Sequence, residues 1–199
     1  MSAPAFPDPS YDHPGARFWG VTAGVVTNNR DPDGLGRVKL GLPWLAAGFE
    51  TDWARVVTPM AGPAHGLYTL PEVGDEVLVG FEHGRPSAPY VLGAVWNGKD
   101  KPPESNADGR NDRRSFTSRS GHVIRLTDTD GAERVEILDR TGRNSVVLDT
   151  ATNTVTISAD ADVVIRAAKG KLTLSGETGV EVTSRAGGVK VSGTTVDIN

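Results

Sequence analysis

Seven pairs of aliphatic residues recur along the C-terminal half of the chain: Val146/Leu148, Val155/Ile157, Val163/Ile165, Leu172/Leu174, Val180/Val182, Val189/Val191 and Val196/Ile198. The two members of each pair lie two residues apart, so they point to one face of an extended strand. Successive pairs are separated by 9, 8, 9, 8, 9 and 7 residues, a regularity that indicates a repeat architecture. Upstream, Ile124/Leu126 and Val135/Ile137 continue the pattern at a looser spacing of 11. Thr, Ser, Asp and Lys alternate with the pairs, and Gly, Asn or Asp mark the corners.

This pattern limits what the segment can build. A Val, Ile or Leu side chain contributes about 1.5–3 kcal/mol when fully buried, whereas ordering each backbone residue costs about 1–2 kcal/mol. With two inward residues in about eight, a single strand cannot stand alone. Other strands must close it, from the same chain or from identical neighbours. A single-chain β-helix uses about three segments per coil, which leaves the nine pairs near the minimum for a stable stack. Three chains that each supply one face give a longer prism without free edges. The trimer is the favoured expectation, its core formed by Val146, Leu148, Val155, Ile157, Val163, Ile165, Leu172, Leu174, Val180, Val182, Val189 and Val191. An antiparallel meander within one chain is the rival.

The rest of the chain has a different texture. Residues 1–16 hold Pro4, Pro7, Pro9 and Pro14 with little that can pack, and are expected to form a flexible arm. Residues 17–97 carry five short apolar runs, WGVTAGVVTN, RVKLGL, WARVVTP, EVLVGFEHG and PYVLGAVWN, broken by Gly, Pro and Asp. Five such runs predict a small antiparallel barrel, with Val77 and Val79 on its inner face. Residues 98–112, GKDKPPESNADGRND, read as a polar linker, and 113–199 as the repeat domain.

Composition removes several function classes. The 199 residues carry a net charge of -4, which disfavours a nucleic-acid partner. With no cysteine in the chain, neither disulfides nor thiolate metal sites can form. The N-terminus has no basic start followed by an apolar run, so no signal peptide is expected.

The motifs N-x-x-DP-D-G-x-GRV, P-W, W-A-R-V, LPEVGDEVLVGFEHG and P-x-VLGAVWNG occur in an order that resembles the OB domain of the phage baseplate assembly protein V family, shared with VgrG-type spikes. The following SFTSRSGHVIRLTDTDG and the repeats are similar to the trimeric β-helix of those central spike proteins. The resemblance implies an all-β chain: an N-terminal OB-fold barrel and a C-terminal intertwined trimeric β-helix, or β-prism needle. It implies a homotrimeric puncturing spike of a contractile tail or injection-system baseplate. Such a spike sits on a separate hub protein at the end of the tail tube and pierces the target cell envelope on sheath contraction. Neither a lysozyme domain nor a fused hub domain is expected here. The blunt last repeat leads to the expectation that a PAAR-type tip protein binds over Val196, Ile198 and Asn199. The particle would assemble in the bacterial cytoplasm, as a virion, tailocin or extracellular injection system. The alternative is an OB-fold module binding glycan or single-stranded nucleic acid on a β-repeat stalk.

The reading assigns no catalytic residue, metal or cofactor. Asn28, Asp31 and Asp33 supply fewer oxygens than a hard cation normally gathers, and DPDG is an ordinary turn. Glu72, Asp75 and Glu76 in LPEVGDEV lack an accompanying nucleophile or histidine motif. His13, His65, His83 and His122 form no metal-ligand spacing, although a three-fold axis would gather three copies of His122. Trp19, Trp44, Trp53, Phe81, Tyr90 and Trp96 are read as core or hub contacts, because their sequence neighbours are apolar rather than basic. Arg110, Arg113, Arg114 and Arg119 are read as locking neighbouring chains at the neck.

Overall fold

The structure, a computed structural model, describes residues 17–197; the predicted arm at 1–16 and Ile198 and Asn199 lie outside them. The chain divides into two compact units, Met1–Ser105 and Asn106–Asn199. The described residues form strands, turns and one short 3-10 turn, with no α-helix.

The first unit contains β1 (Val21–Asn28), β2 (Lys39–Gly41), β3 (Arg55–Val56), β4 (Ala61–Gly62), β5 (His65–Gly66), β6 (Glu76–Phe81) and β7 (Pro89–Ala94). Five of these make a sheet in the order β2-β1-β6-β7-β3. All its pairings are antiparallel except β3 with β7, which run parallel. The bridge Val38↔Ala54, with N–H···O distances of 3.0 and 2.7 Å, joins the chain beside β2 to the chain beside β3. That bridge curls the outer strands toward one another, as in an OB barrel. The five apolar runs of the sequence supply these five strands.

Alternation along the strands fills the interior. Val26, Val38, Leu40, Leu42, Ala54, Val77, Val79 and Val91 are buried together. Gly24 of β1 faces the same interior, where a Cβ would lie 3.0 Å from Val79 Cγ2 and 3.1 Å from Leu42 Cδ2. Only glycine lets these strands approach so closely. The hairpin of β4 and β5, from MAGPAHG, was not expected from the sequence because its two-residue strands carry no apolar alternation.

The second unit contains β8 (Arg113–Thr117), β9 (Val123–Thr127), β10 (Arg134–Leu138), β11 (Ser145–Asp149) and β12 (Thr154–Ser158). Each pairs antiparallel with the next, giving the order β12-β11-β10-β9-β8. Within one chain, residues 113–158 therefore adopt the meander that stood as the rival arrangement. Turns such as 118–121 and 139–144 are short enough for each strand to fold back on its predecessor. No strand is formed among described residues 159–197, although the aliphatic pairs continue there.

Candidate functional site

The DPDG loop leads from β1 to β2, and its chemistry is internal. The Asp31 carboxylate accepts from the backbone N–H groups of Asp33 (3.1 Å), Leu35 (3.0 Å) and Arg37 (3.2 Å). It also accepts from Arg37 Nε at 2.9 Å and Arg37 Nη2 at 2.7 Å, while Asp33 takes Arg37 Nη2 at 2.5 Å. Gly34 and Gly36 take positive φ values of 67° and 69°, which glycine adopts without strain. The Asp31 side chain is only 3% exposed. The Arg37 guanidinium, opposed by burial, holds its carboxyl well below the usual carboxylate range. Asp31 in turn raises Arg37. The Asp31 oxygens are filled by donors, so the loop is a clamp that aims β2 into the core. Arg37 was not singled out in the sequence; the signal was a basic residue following the turn glycines.

The other sequence candidates are dispersed. In LPEVGDEV the backbone N–H of Glu72 donates to Asp75 Oδ2 (2.8 Å) and Gly74 N donates to Val26 O (2.8 Å), a turn that leads into β6. Glu76 Oε2 accepts from Asn97 Nδ2 at 2.9 Å. His65 lies in the β4–β5 hairpin, His83 in the turn Glu82–Gly84 and His122 beside β9, while His13 lies outside the described residues. Among the described residues no three His, Cys, Asp or Glu side chains cluster as metal ligands would. Arg110 pairs with Asp108 (2.9 Å) and with Asp112 (3.8 Å), and Arg114 pairs with Asp128.

The aromatic reading needs a correction. Trp53 lies beneath Arg37 (5.7 Å) and Lys39 (5.6 Å), Tyr90 beneath Arg55 (5.9 Å) and Trp19 beneath Arg17 (6.0 Å). These rings therefore do stand among cations: strand pairing supplies those over Trp53 and Tyr90 from residues remote in sequence, and Arg17 reaches Trp19 from two residues upstream. Phe18 packs edge-on to Trp44 and tilted on Phe81, with centroids 5.4 and 5.5 Å apart. Trp19, Trp44 and Trp96 are exposed.

The feature that points outward is the sheet of the second unit. Register aligns Phe116, Ile124, Ile137, Val146 and Ile157 in one row and Arg114, Leu126, Val135, Leu148 and Val155 in a second. Both rows share one face. The opposite face carries Arg125–Glu136 and Arg134–Asp149 pairs, each at 3.8 Å. In β9 and β10 exposure is inverted relative to an ordinary sheet: the polar face is half-buried, whereas Ile124 and Ile137 are 48% and 52% exposed, and in the edge strand β12 both faces are exposed. Val146 is half-buried and Leu148 exposed. Val163, Ile165, Leu172, Leu174, Val180, Val182, Val189, Val191 and Val196 are all exposed as well. The turns that bound the sheet satisfy their own polar groups. Asp139 accepts from Thr141 Oγ1 (2.8 Å) and Asn144 Nδ2 (2.8 Å), which lower its pKa to about 2 against the opposing effect of desolvation.

Residues 22–96 match the family described as the Type VI secretion system/phage-baseplate injector OB domain. The chain is 35% identical over 103 residues to the Type VI secretion system spike protein VgrG5 of Pseudomonas aeruginosa, covering 48% of this chain and 13% of that protein. It is 32% identical over 148 residues to VgrG4b of the same organism, covering 69% and 17%. It is 36% identical over 75 residues to the actin cross-linking toxin VgrG1 of Vibrio cholerae, covering 36% and 7%. The chain thus spans under a fifth of the length of each of these relatives. The parallel β3/β7 pairing, the curled sheet and the family match define the first unit as an injector OB domain. Residues 22–96 thus carry a VgrG/baseplate V-type OB domain, and the chain is similar over part of its length to VgrG spike proteins.

Proposed function

We propose that the chain is the central spike of a contractile tail or injection-system baseplate, working as a homotrimer and without enzymatic chemistry. The observation that carries this reading is the bare apolar face of β8–β12, aligned in two rows while the opposite face carries the Arg125–Glu136 and Arg134–Asp149 ion pairs. Exposed apolar surface of this extent marks an association surface. Three copies turning that face inward give a dry prism, and the pairs from Val163 to Val196 extend it as an intertwined β-helix. Continuous strand pairing makes such a needle rigid enough to concentrate force on a target envelope. The OB domain attaches it to a separate hub. A PAAR-type tip protein covers the far end at Val196, Ile198 and Asn199. Assembly takes place in the bacterial cytoplasm as part of a phage-like particle.

Leu174→Asp tests the inward assignment, because it places three carboxylates near one axis and desolvates them. The expected outcome is loss of a heat-resistant trimer on a denaturing gel; an equally resistant variant contradicts the proposal. Tip binding is checked by pull-down with the whole chain and a form lacking 189–199, where equal capture by both removes that element.

A further inference from the structure

The aliphatic pairs continue beyond β12, which is the edge strand of its sheet. Within β8–β12 the apolar stripe runs across the strands, not along them. In a three-fold prism built on that stripe, the ends of the strands, where the turns lie, face the neighbouring copies. One side of the sheet carries the turns 118–121 and 139–144; the other carries 128–133 and 150–153. Because turns alternate between sides, the 128–133 turn lies level with the gap between the 118–121 and 139–144 turns.

The charges on these turns differ in a way that suits contact between copies. On the first side Asp139 is used by Thr141 and Asn144, and Arg143 pairs with Asp160 at 3.0 Å. Arg140 is exposed and has no partner among the described residues. On the second side Asp128 is held by Arg114, while Asp130 is exposed and makes no hydrogen bond or ion pair among the described residues. Both turns are fixed by backbone bonds, Gly142 N to Asp139 O at 3.0 Å and Ala132 N to Thr129 O at 2.9 Å. Each presents its charged residue on a defined frame.

We infer that the trimer closes at its corners by interdigitated turns, with Arg140 of one copy set against Asp130 of the next. This inference rests on the proposed trimer and names the contact that fixes its rotational order. The contact is heterologous, and three-fold closure repeats it three times. It supplies register that the smooth Val/Ile/Leu interior lacks, since aliphatic rows alone tolerate sliding by one strand.

Because the chain has no cysteine, a two-cysteine variant of the full chain gives a clean test. Within one chain the two positions flank β10, about 17 Å apart for five extended residues. A short ethylene-spaced bis-maleimide does not span that gap. The variant Arg140→Cys with Asp130→Cys is expected to give a covalent closed trimer on a denaturing gel, and neither single variant should do so. A trimeric solution mass without that band overturns the inference. Charge reversal provides an independent readout if the cysteine variant misfolds. Arg140→Asp alone is expected to weaken assembly about 5-fold per corner at low salt, about 10²-fold over three corners, and adding Asp130→Arg should restore it. A single reversal that assembles as tightly as the wild type also overturns the inference. A wild-type chain that is a single subunit in solution refutes the trimer itself, a different failure.

Discussion

Val79 and Ile137 occupy equivalent places: each is an aliphatic residue alternating along a central strand of a five-stranded sheet. Val79 is 0% exposed and Ile137 is 52% exposed. The difference lies in how the two sheets are closed. In the OB unit the bridge Val38↔Ala54 brings the outer strands round, so eight aliphatic side chains bury one another. In the second unit each strand meets only its sequence neighbours, and among described residues 106–197 none is buried. The barrel carries its hydrophobic stabilisation within one chain, whereas the meander leaves its apolar face exposed. The same alternating pattern thus gives a buried core in one half and, in the other, the exposed face that the proposed trimer buries.

Matched substitutions test that contrast most severely. Val79→Asp buries an unpaired carboxylate in the barrel and should cost more than about 4 kcal/mol, read as loss of the OB unit's cooperative unfolding transition. Ile137→Asp should leave strand content, measured by circular dichroism, within the range of an exposed substitution, about 0.5 kcal/mol, yet abolish the trimer by mass. If Ile137→Asp instead unfolds the chain and Val79→Asp does not, the assignment of roles is reversed. Leu40→Ala should lower OB-unit stability by about 2–5 kcal/mol while the oligomeric mass stays the same, a result checked by denaturant melts alongside light scattering.

The smallest effect concerns Asp31. Its folded-state pKa is depressed, mainly by the Arg37 hydrogen bond. The carboxylate therefore contributes stability that is complete above the unfolded value of about 3.9 and is lost as pH falls toward the depressed value. Asp31→Asn should flatten the acid side of the OB unit's melting profile below about pH 4 and lower its melting temperature at pH 7. A wild-type profile that is flat through that range would show that the clamp contributes nothing.

The five barrel strands were legible because alternation and turn residues coincide there: Val77 and Val79 point inward, and DPDG turns as its composition requires. The β4–β5 hairpin was hidden because Ala61–Gly62 and His65–Gly66 are too short to show a period. The cations over Trp53 were hidden because Arg37 and Lys39 reach it only through pairing across strands. In the repeats, spacing identified which residues share a face, but not whose strands lie alongside. Spacing is the same whether the next strand belongs to this chain, as it does for β8–β12, or to another copy.

The most direct test is the mass of the purified full-length chain by light scattering at micromolar concentration. Three copies sharing one interior give about 63 kDa, three times the 21.0 kDa of the chain. A monodisperse species near 21.0 kDa would mean that the aliphatic face has no partner of its own kind, and would contradict the account.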